Sequence, residues 1–196
     1  MKWFYDLKIA TKLIASFLTV LALTSVMGVF SIIQLGQVNQ ATTDIRDNWM
    51  PSMRAASAMR FFAANYRLKE TLHLLADSSE ERAVLEREAT EAKKQLEVRM
   101  ATYEKLIASP EERQLFDTFS NDWVAYLSTS KTLLTLFQKK LDAEAKALIK
   151  GESRRIFELV TSDLQNMVEL NDTGAAAAND RGLVLYENAK ISIIAV

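Results

Sequence analysis

Apolar residues near the start of the chain form one unbroken run, whereas later apolar residues alternate with charged ones. Residues 13–33 contain no charged side chain. As a helix, about 21 residues reach roughly 31 Å, close to the thickness of a bilayer's hydrocarbon core. A cleaved signal has a shorter apolar region followed by a small-residue cleavage site, and no convincing site follows here. The pattern therefore predicts an uncleaved transmembrane helix at 13–33, rather than an export signal or the buried helix of a soluble protein.

The charges that flank this run predict its orientation. Lys2, Lys8 and Lys12 precede it, and the first basic residue after it is Arg46. Basic residues favour the cytoplasmic side, so we expect residues 1–12 to form a cytoplasmic tail and the rest to lie outside. Aromatic side chains suited to the inner membrane–water interface are Trp3, Phe4 and Tyr5.

The last residues form a second, shorter apolar run. After Lys190 the chain reads ISIIAV. Six such residues cannot span a bilayer, but they match the first part of a span. We interpret 190–196 as the start of a truncated second transmembrane helix, which makes the chain a fragment or a truncated product. The alternative is an apolar terminus that packs on its own domain.

The segment between these runs, 34–189, shows helical periodicity. The first helix continues from the membrane run to about Ala76, with a kink expected at Pro51. Ser78 and Glu81 form a capping box that begins the second helix. Its apolar stripe has the spacing expected of a helix face.

A second set of turn signals predicts two more helices. Ser109 and Pro110 begin the third helix, which we expect to continue through Leu148. Gly151 suits a left-handed C-cap, and the fourth helix begins at about Ser153. Four helices of about 30–45 residues with short turns predict an all-α fold, an antiparallel up-down-up-down four-helix bundle. The first and fourth helices would continue into the membrane spans, which makes the bundle membrane-anchored.

Composition narrows the function. The chain has 24 basic and 25 acidic residues, so its charge does not indicate nucleic acid as a partner. It has no Cys and one His, which removes thiolate or multi-His metal sites and His-based catalytic triads. No phosphate-binding loop is present in the sequence. We therefore predict a protein that is not an enzyme and expect no catalytic residues, no metal site and no cofactor.

The order of these segments resembles bacterial methyl-accepting chemotaxis receptors. A short basic tail, one long span and a charged bundle with DIRDNWMPSMRAASAMR early in its first helix are similar to their N-terminal four-helix-bundle sensor region. The resemblance implies a chemoreceptor input domain in the bacterial inner membrane, with 34–189 in the periplasm. It also implies a homodimer through the first helix and signalling by displacement of the fourth. Downstream signalling proteins would be reached only through cytoplasmic sequence that this chain lacks.

Arginines on the first helix are the candidate ligand-binding residues. Arg46, Arg60 and Arg67 lie within about 40° of one helix face. Arginine can bind a carboxylate through two parallel hydrogen bonds. Counting from the turns places Arg67 level with Thr161, and Arg60 level with about Val168.

The predicted site takes two arginines from the first helix and two polar side chains from the fourth. The resemblance implies an amino acid or organic acid bound by arginines near the distal end of the first helix, and Arg60 and Arg67 match that height. We therefore predict Arg60, Arg67, Thr161 and Gln165 as a site for a small carboxylate or amino acid. Alternatively, the arginines pair with acids such as Glu70 or Asp163, or face solvent.

Other functions stay open. The same bundle could serve a transmembrane kinase or cyclase, or act as a membrane-tethered helical scaffold without a small ligand. A haem-binding bundle would need His73 to face the core. Trp49 and Trp123 are expected to be core residues at similar heights rather than part of a cofactor site.

Overall fold

The computed structural model describes residues 8–194, and every element in that range is a helix, which confirms the all-α prediction. The predicted interfacial aromatics at 3–5 and the last two residues of the predicted second span lie outside the described residues. The helices are α1 (Ile9–Asp44), α2 (Met50–Leu75), α3 (Ser79–Glu104), α4 (Pro110–Gln138), α5 (Asp142–Lys150) and α6 (Glu152–Ile194), with a π-helical turn at Ile45–Trp49.

The chain divides into two compact units. One combines the residues up to Asp44 with those from Ala177 onwards, and the other is Ile45–Ala176. In the first unit, α1 has no buried residue; Phe17 and Ile32 are 68% and 72% exposed. The described residues include one helical stretch, Ile9–Leu75, with a segment long and apolar enough to cross a membrane. The span predicted at 13–33 lies within it.

The second unit is a packed helical bundle. Side-chain contacts join neighbouring helices that run in opposite directions: Lys69–Glu88 and His73–Glu86 between α2 and α3, Tyr103–Phe116 and Glu104–Arg113 between α3 and α4, and Asp122–Asp163 and Tyr126–Phe157 between α4 and α6. Its core takes large side chains from four helices, among them Met59, Leu96, Tyr103, Phe119, Trp123, Tyr126, Leu164 and Met167. The predicted burial of Trp123 is confirmed, whereas Trp49 is half-buried.

Two predicted helix starts are confirmed by their caps. The Ser78 hydroxyl accepts a hydrogen bond from the Glu81 amide at 3.1 Å, and the Ser109 hydroxyl accepts one from the Glu112 amide at 3.1 Å. The Glu112 carboxylate reaches back to the Ala108 amide at 2.9 Å. The two bonds to the serine hydroxyls satisfy amides that a helix leaves unpaired in its first turn.

The predicted third helix is wrong in its length. It ends at Gln138, and α5 begins only at Asp142. Between them, Lys140 has φ 56°, a left-handed conformation that is unfavourable for a side chain with a Cβ. The apolar residues at 141 and 148 keep helical spacing across the break, so periodicity alone could not reveal it.

The predicted left-handed C-cap at Gly151 is also wrong. Its φ is −100° and its ψ −107°, and α6 follows at once from Glu152. At this position a Cβ would lie 3.0 Å from the Ala147 carbonyl oxygen, a tight contact that glycine avoids.

The irregularity expected at Pro51 takes the form of the π-helical turn just before it. Pro51 lies in the first turn of α2, where its missing amide costs least. A π-turn adds a residue per turn and lets the helix continue past the proline ring. That extra residue also changes the side of the helix on which Arg46 lies, relative to the residues after it. Arg46 is exposed and pairs with Asp47 at 2.6 Å, so it does not belong with the other two arginines.

Candidate functional site

The arginines of α2 lie along the boundary between α2 and α6. Arg60 is exposed, and its guanidinium donates a hydrogen bond to the side-chain oxygen of Gln165. Gln165 in turn donates to Glu169 at 2.8 Å. Arg60 and Gln165, two of the four predicted ligand residues, are therefore in direct contact.

Arg67 occupies a more enclosed position on α2, nearer the start of α6. Its Nη1 donates to the Ser153 hydroxyl at 3.0 Å and to the Ser153 carbonyl at 3.3 Å. Its guanidinium carbon lies 4.8 Å from the centre of the Phe157 ring, within cation–π range. Several donors of Arg67 are thus left for a further acceptor, since a guanidinium has five N–H groups.

Thr161 forms hydrogen bonds within its own helix in this structure. Its hydroxyl lies 3.0 Å from the carbonyl oxygens of both Phe157 and Glu158, in its own helix. This back-bonding occupies its only donor.

The predicted heights are wrong by about one helical turn. Arg67 lies level with Ser153 and Phe157 rather than Thr161, and Arg60 lies level with Gln165 rather than Val168. The cause is that α6 begins beside Arg67, and α2 extends past that point to Leu75. Counting from the turns had placed the two helix ends at one level.

A buried polar network next to Arg67 was missed by the sequence analysis. The Tyr126 hydroxyl donates to Glu70 and also lies 3.4 Å from the Arg67 guanidinium. Glu70 is buried, and its second oxygen has no hydrogen-bond partner among the described residues. Burial first, and then the Glu70 charge, raises the pKa of Tyr126 well above its usual range, so the hydroxyl stays a donor. The spacing of Arg67 and Glu70 by three residues on one helix was the available signal.

Aromatic rings complete this layer of the bundle. Tyr66 packs edge-on against Trp123 at 5.5 Å, and Trp123 stacks on Tyr126 at 5.5 Å. The Tyr66 hydroxyl shares a hydrogen bond of 2.8 Å with Ser130. Rings in offset and edge-to-face contact restrict one another. The layer therefore holds Arg67 against a rigid wall.

A pair of carboxylates lies on the α4 and α6 side of the bundle. Asp163 is half-buried, and partial burial together with the nearby Asp122 raises the pKa of its carboxyl to about 6. Asp163 was predicted only as an alternative arginine partner. Its neighbour in the structure is instead another acid.

The motif behind the resemblance contacts both the loop after α3 and helix α6. The Asn48 side chain donates to the Leu106 carbonyl at 2.6 Å. The Trp49 ring covers Gly174, where a Cβ would collide with the ring. A side chain at position 174 would therefore require the Trp49 ring to move.

His73 pairs with Glu86 on α3 at 3.0 Å, and its ring lies 6.2 Å from that of Phe137. This nitrogen is directed to the exposed Glu86 carboxylate. In the part of the chain that the structure describes, no three potential metal ligands come together.

Known proteins place this bundle among sensors. The profile of a family described as a four helix bundle sensory module for signal transduction matches residues 6–186. The chain is also similar to the "Putative sensory transducer protein YvaQ" of Bacillus subtilis (strain 168), with 19% identity over 185 residues. That match covers 94% of this chain and 32% of the relative, so the chain spans about a third of the relative's length.

The match covers nearly all of the chain and includes the motif around Trp49, the helical bundle and most of α1 and α6. It confirms the resemblance to the sensor region of chemotaxis receptors. The chain belongs to the family of four-helix-bundle sensory modules that serve signal transduction of the methyl-accepting chemotaxis type.

Proposed function

We propose that this chain is the periplasmic input module of a chemotaxis receptor in the bacterial inner membrane, and that it binds a small carboxylate or amino acid. The observation that carries the proposal is the position of Arg60 and Arg67, which face α6 next to an unpaired apolar seam on α2. A ligand anion there would contact the two helices whose relative position is expected to carry the signal.

The apolar seam supports a homodimer through α2. Phe61, Leu68 and Leu75 recur every seven residues and are 64%, 53% and 72% exposed. Two small residues, Ser57 and Ala64, occupy the alternate positions and are exposed too. A seven-residue repeat of this kind is typical of the seam of a two-helix coiled coil, and small residues between the large ones let two helices approach closely. A second copy of the same helix is therefore the occupant that fits.

The two arginines flank this seam. Each directly precedes a seam residue, Phe61 or Leu68, in the position from which coiled-coil side chains reach across to the partner helix. A carboxylate bound by Arg60 or Arg67 would therefore lie at the edge of the dimer. Ligand binding and dimer formation are expected to support one another.

Signalling by this arrangement is a population shift. The membrane-anchored, up-down-up-down bundle would exist in two positions of α6, and a ligand that contacts α2 and α6 favours one of them. The shift cannot exceed the difference in the ligand's affinity for the two states, typically about 1–3 kcal/mol. Helix α6, which runs unbroken over Glu152–Ile194, would transmit a small displacement without unfolding.

A thermal-shift screen of the chain in detergent against small organic acids and amino acids tests ligand binding. A ligand at 100 times its dissociation constant should stabilise the fold by about 2.7 kcal/mol. Arg60→Ala and Arg67→Ala should abolish the shift, whereas Arg87→Ala, on the exposed face of α3, should retain it. A shift that survives both α2 substitutions would place the ligand elsewhere.

Dimerisation has its own test. Phe61→Glu with Leu68→Glu should make the chain monomeric in analytical ultracentrifugation, while Val84→Glu and Val124→Glu, which change exposed residues outside the seam, should not. An unchanged dimer in the seam variant contradicts the proposed interface.

A second candidate function differs from the first only in the output domain that the module would control. A transmembrane kinase or cyclase could carry the same input module, and both the family description and the relative's name specify sensory signalling without fixing the ligand. Joining this module to a chemotaxis receptor's cytoplasmic region and measuring ligand-dependent kinase control would support the receptor assignment. A cysteine crosslink between α2 and α6 should abolish that response.

A further inference from the structure

We propose a second ligand site in this molecule, a cleft at the break between α4 and α5 that takes a small anion with an apolar body, such as an aromatic carboxylate. It is separate from the Arg60 and Arg67 site and does not depend on it. The cleft has a volume of about 640 Å³. Ligand pockets for small molecules commonly have volumes of this order.

The cleft exists because α4 stops early. It lies between the last turn of α2, the first turns of α3, the end of α4 and the start of α5, all within the unit Ile45–Ala176. Had α4 continued in register through Leu141 and Leu148, the chain would not turn back at this point. Lys140, whose left-handed backbone makes the turn, also lines the cleft.

The backbone conformation of Lys140 is energetically unfavourable, and no neighbouring residue type explains it. Lysine has no special tolerance for a positive φ, and no Gly or Pro occurs between 138 and 142. Strained positions of this kind occur preferentially at ligand sites and switches. At the same point, α5 begins after Leu141, which offers no side chain to cap its first amides.

One wall of the cleft is apolar. It is formed by Leu74 from α2, Ala83 from α3, and Leu134 and Phe137 from α4. Leu75, the last residue of the proposed dimer seam, also lines the cleft. The Phe137 ring is half-buried and lies against His73, so one face of a planar ligand could stack in this region. This wall suits an apolar ring or chain.

The remaining lining carries an excess of positive charge. Arg82, Lys140 and Lys146 line the cleft, and none of the three forms an ion pair within the described residues. The acids facing it are Glu86 and Asp142, and Glu86 is already engaged by His73. Three cations facing two carboxylates leave a net positive charge, which favours an anionic group, because charges of one sign around a concave surface reinforce one another.

The two features together define the ligand's chemistry. An inorganic anion would leave the leucine and phenylalanine wall unused, and an uncharged apolar molecule would leave the three cations unused. Arg82 already donates one hydrogen bond to the Ala76 carbonyl at 2.9 Å, which positions its guanidinium at the end of α2. Its other donors can bind a carboxylate.

The test uses the full chain in detergent and para-fluorobenzoate as the probe, observed by fluorine NMR. We expect saturable binding that para-fluorobenzyl alcohol, the uncharged counterpart, does not show. Arg82→Gln with Lys146→Gln should weaken binding at least about tenfold through lost charge-assisted contacts. Both side chains are exposed, so the fold should tolerate the change. Arg87→Gln with Lys94→Gln is the matched control, with equal charge loss on the exposed face of α3.

A second variant tests the volume of the cleft. Ala83→Trp places a large ring into it from an exposed position and should exclude the probe. Absence of saturable binding by the unmodified chain overturns the proposal, and so does binding that neither cleft variant weakens. Arg60→Gln with Arg67→Gln should leave probe binding unchanged. If those changes abolish binding instead, the probe occupies the α2–α6 site and the cleft proposal fails, while the proposed function stands.

Discussion

The same helix, α4, takes part in a filled region and in an open one. Along its middle, Phe119, Trp123 and Tyr126 are buried between the neighbouring helices. At its end, Phe137 is only half-buried and faces the cleft described above. The difference shows that an aromatic stripe makes a core only where helices on every side continue past it. Where α4 stops, the same stripe becomes the wall of a cleft.

The largest expected effect comes from removing one ring from each region. Phe119→Ala should lower the free energy of unfolding by about 3–5 kcal/mol, because it leaves a cavity in a closed core. Phe137→Ala should cost much less, about 1 kcal/mol, because the space there is already open to solvent. Urea denaturation of both variants in detergent, followed by circular dichroism, measures the difference. Equal losses would mean that the two regions are equally packed.

The buried network beside Arg67 gives the next effect. Tyr126→Phe removes the hydroxyl that donates to buried Glu70 and should destabilise the bundle by about 1–3 kcal/mol. Tyr186→Phe changes an exposed tyrosine and should have no measurable effect on unfolding. If the Tyr126 variant is as stable as the original chain, the Glu70 carboxylate has another partner.

Close packing extends to Trp49 and can be tested at a single glycine. Gly174→Ala should lower the free energy of unfolding by about 1–2 kcal/mol, because the new Cβ collides with the Trp49 indole. The higher helix propensity of alanine offsets only part of this steric cost. Gly182→Ala is the control in the same helix, since its Cβ would meet Ala41 at an ordinary 3.4 Å. That change should be neutral or stabilising in thermal unfolding. A stable Gly174 variant would show that Trp49 can move aside freely.

The acid pair on α4 and α6, Asp122 and Asp163, should make the stability of the chain depend on pH. The pKa of Asp163 is about 6 in the folded chain and about 4 when unfolded, so the folded state binds its proton more tightly. Stability from this group is therefore greatest below about pH 4 and is lost as pH rises through about 6. Because the side chain is partly in water, the loss should be about 1 kcal/mol rather than the larger value that full burial would give.

Asp163→Asn removes this loss. It should stabilise the chain by about 1 kcal/mol at pH 7 and have little effect near pH 4. Asp172→Asn, at an exposed position of the same helix, serves as the control in unfolding measured at both pH values. A gain at pH 4 as large as that at pH 7 would contradict the assigned cause.

The smallest effect concerns the break itself. Lys140→Gly should stabilise the chain by about 0.5–1 kcal/mol, because glycine adopts a positive φ without steric cost. Lys139→Gly, at a neighbouring position with φ −83°, should destabilise it instead. Thermal unfolding of the two variants gives opposite signs if the left-handed turn is present, and the same sign if it is not.

Local signals in the sequence were sufficient for much of the fold. Ser78 and Ser109 predicted the starts of α3 and α4, since a cap depends only on residues within one turn. Gly151 shows the limit of these local signals, because the structure has no left-handed cap there and instead brings the position close to a carbonyl oxygen of the preceding helix. The end of α4 has no local marker at all.

The candidate site was predicted less completely than the fold. Arg60 and Gln165 were selected from charge and approximate height, and the structure brings them into contact. The role of Tyr126 depends on which turn of α4 faces Glu70, and Thr161 was placed one turn away from its level. Interhelical register is set by the packing of whole helices, and a short helix such as α5 shifts it without changing any local pattern.

The sequence by itself determined that the chain is helical, where most helices begin, and that its first apolar stretch is long enough to cross a membrane. These properties follow from periodicity, capping and length, which act within one or two turns. The tertiary structure decided which side chains meet: Arg67 with Ser153, Tyr126 with Glu70, and the cations at the cleft where α4 ends. Those contacts join residues far apart in the chain, and their geometry is settled only when the helices pack together.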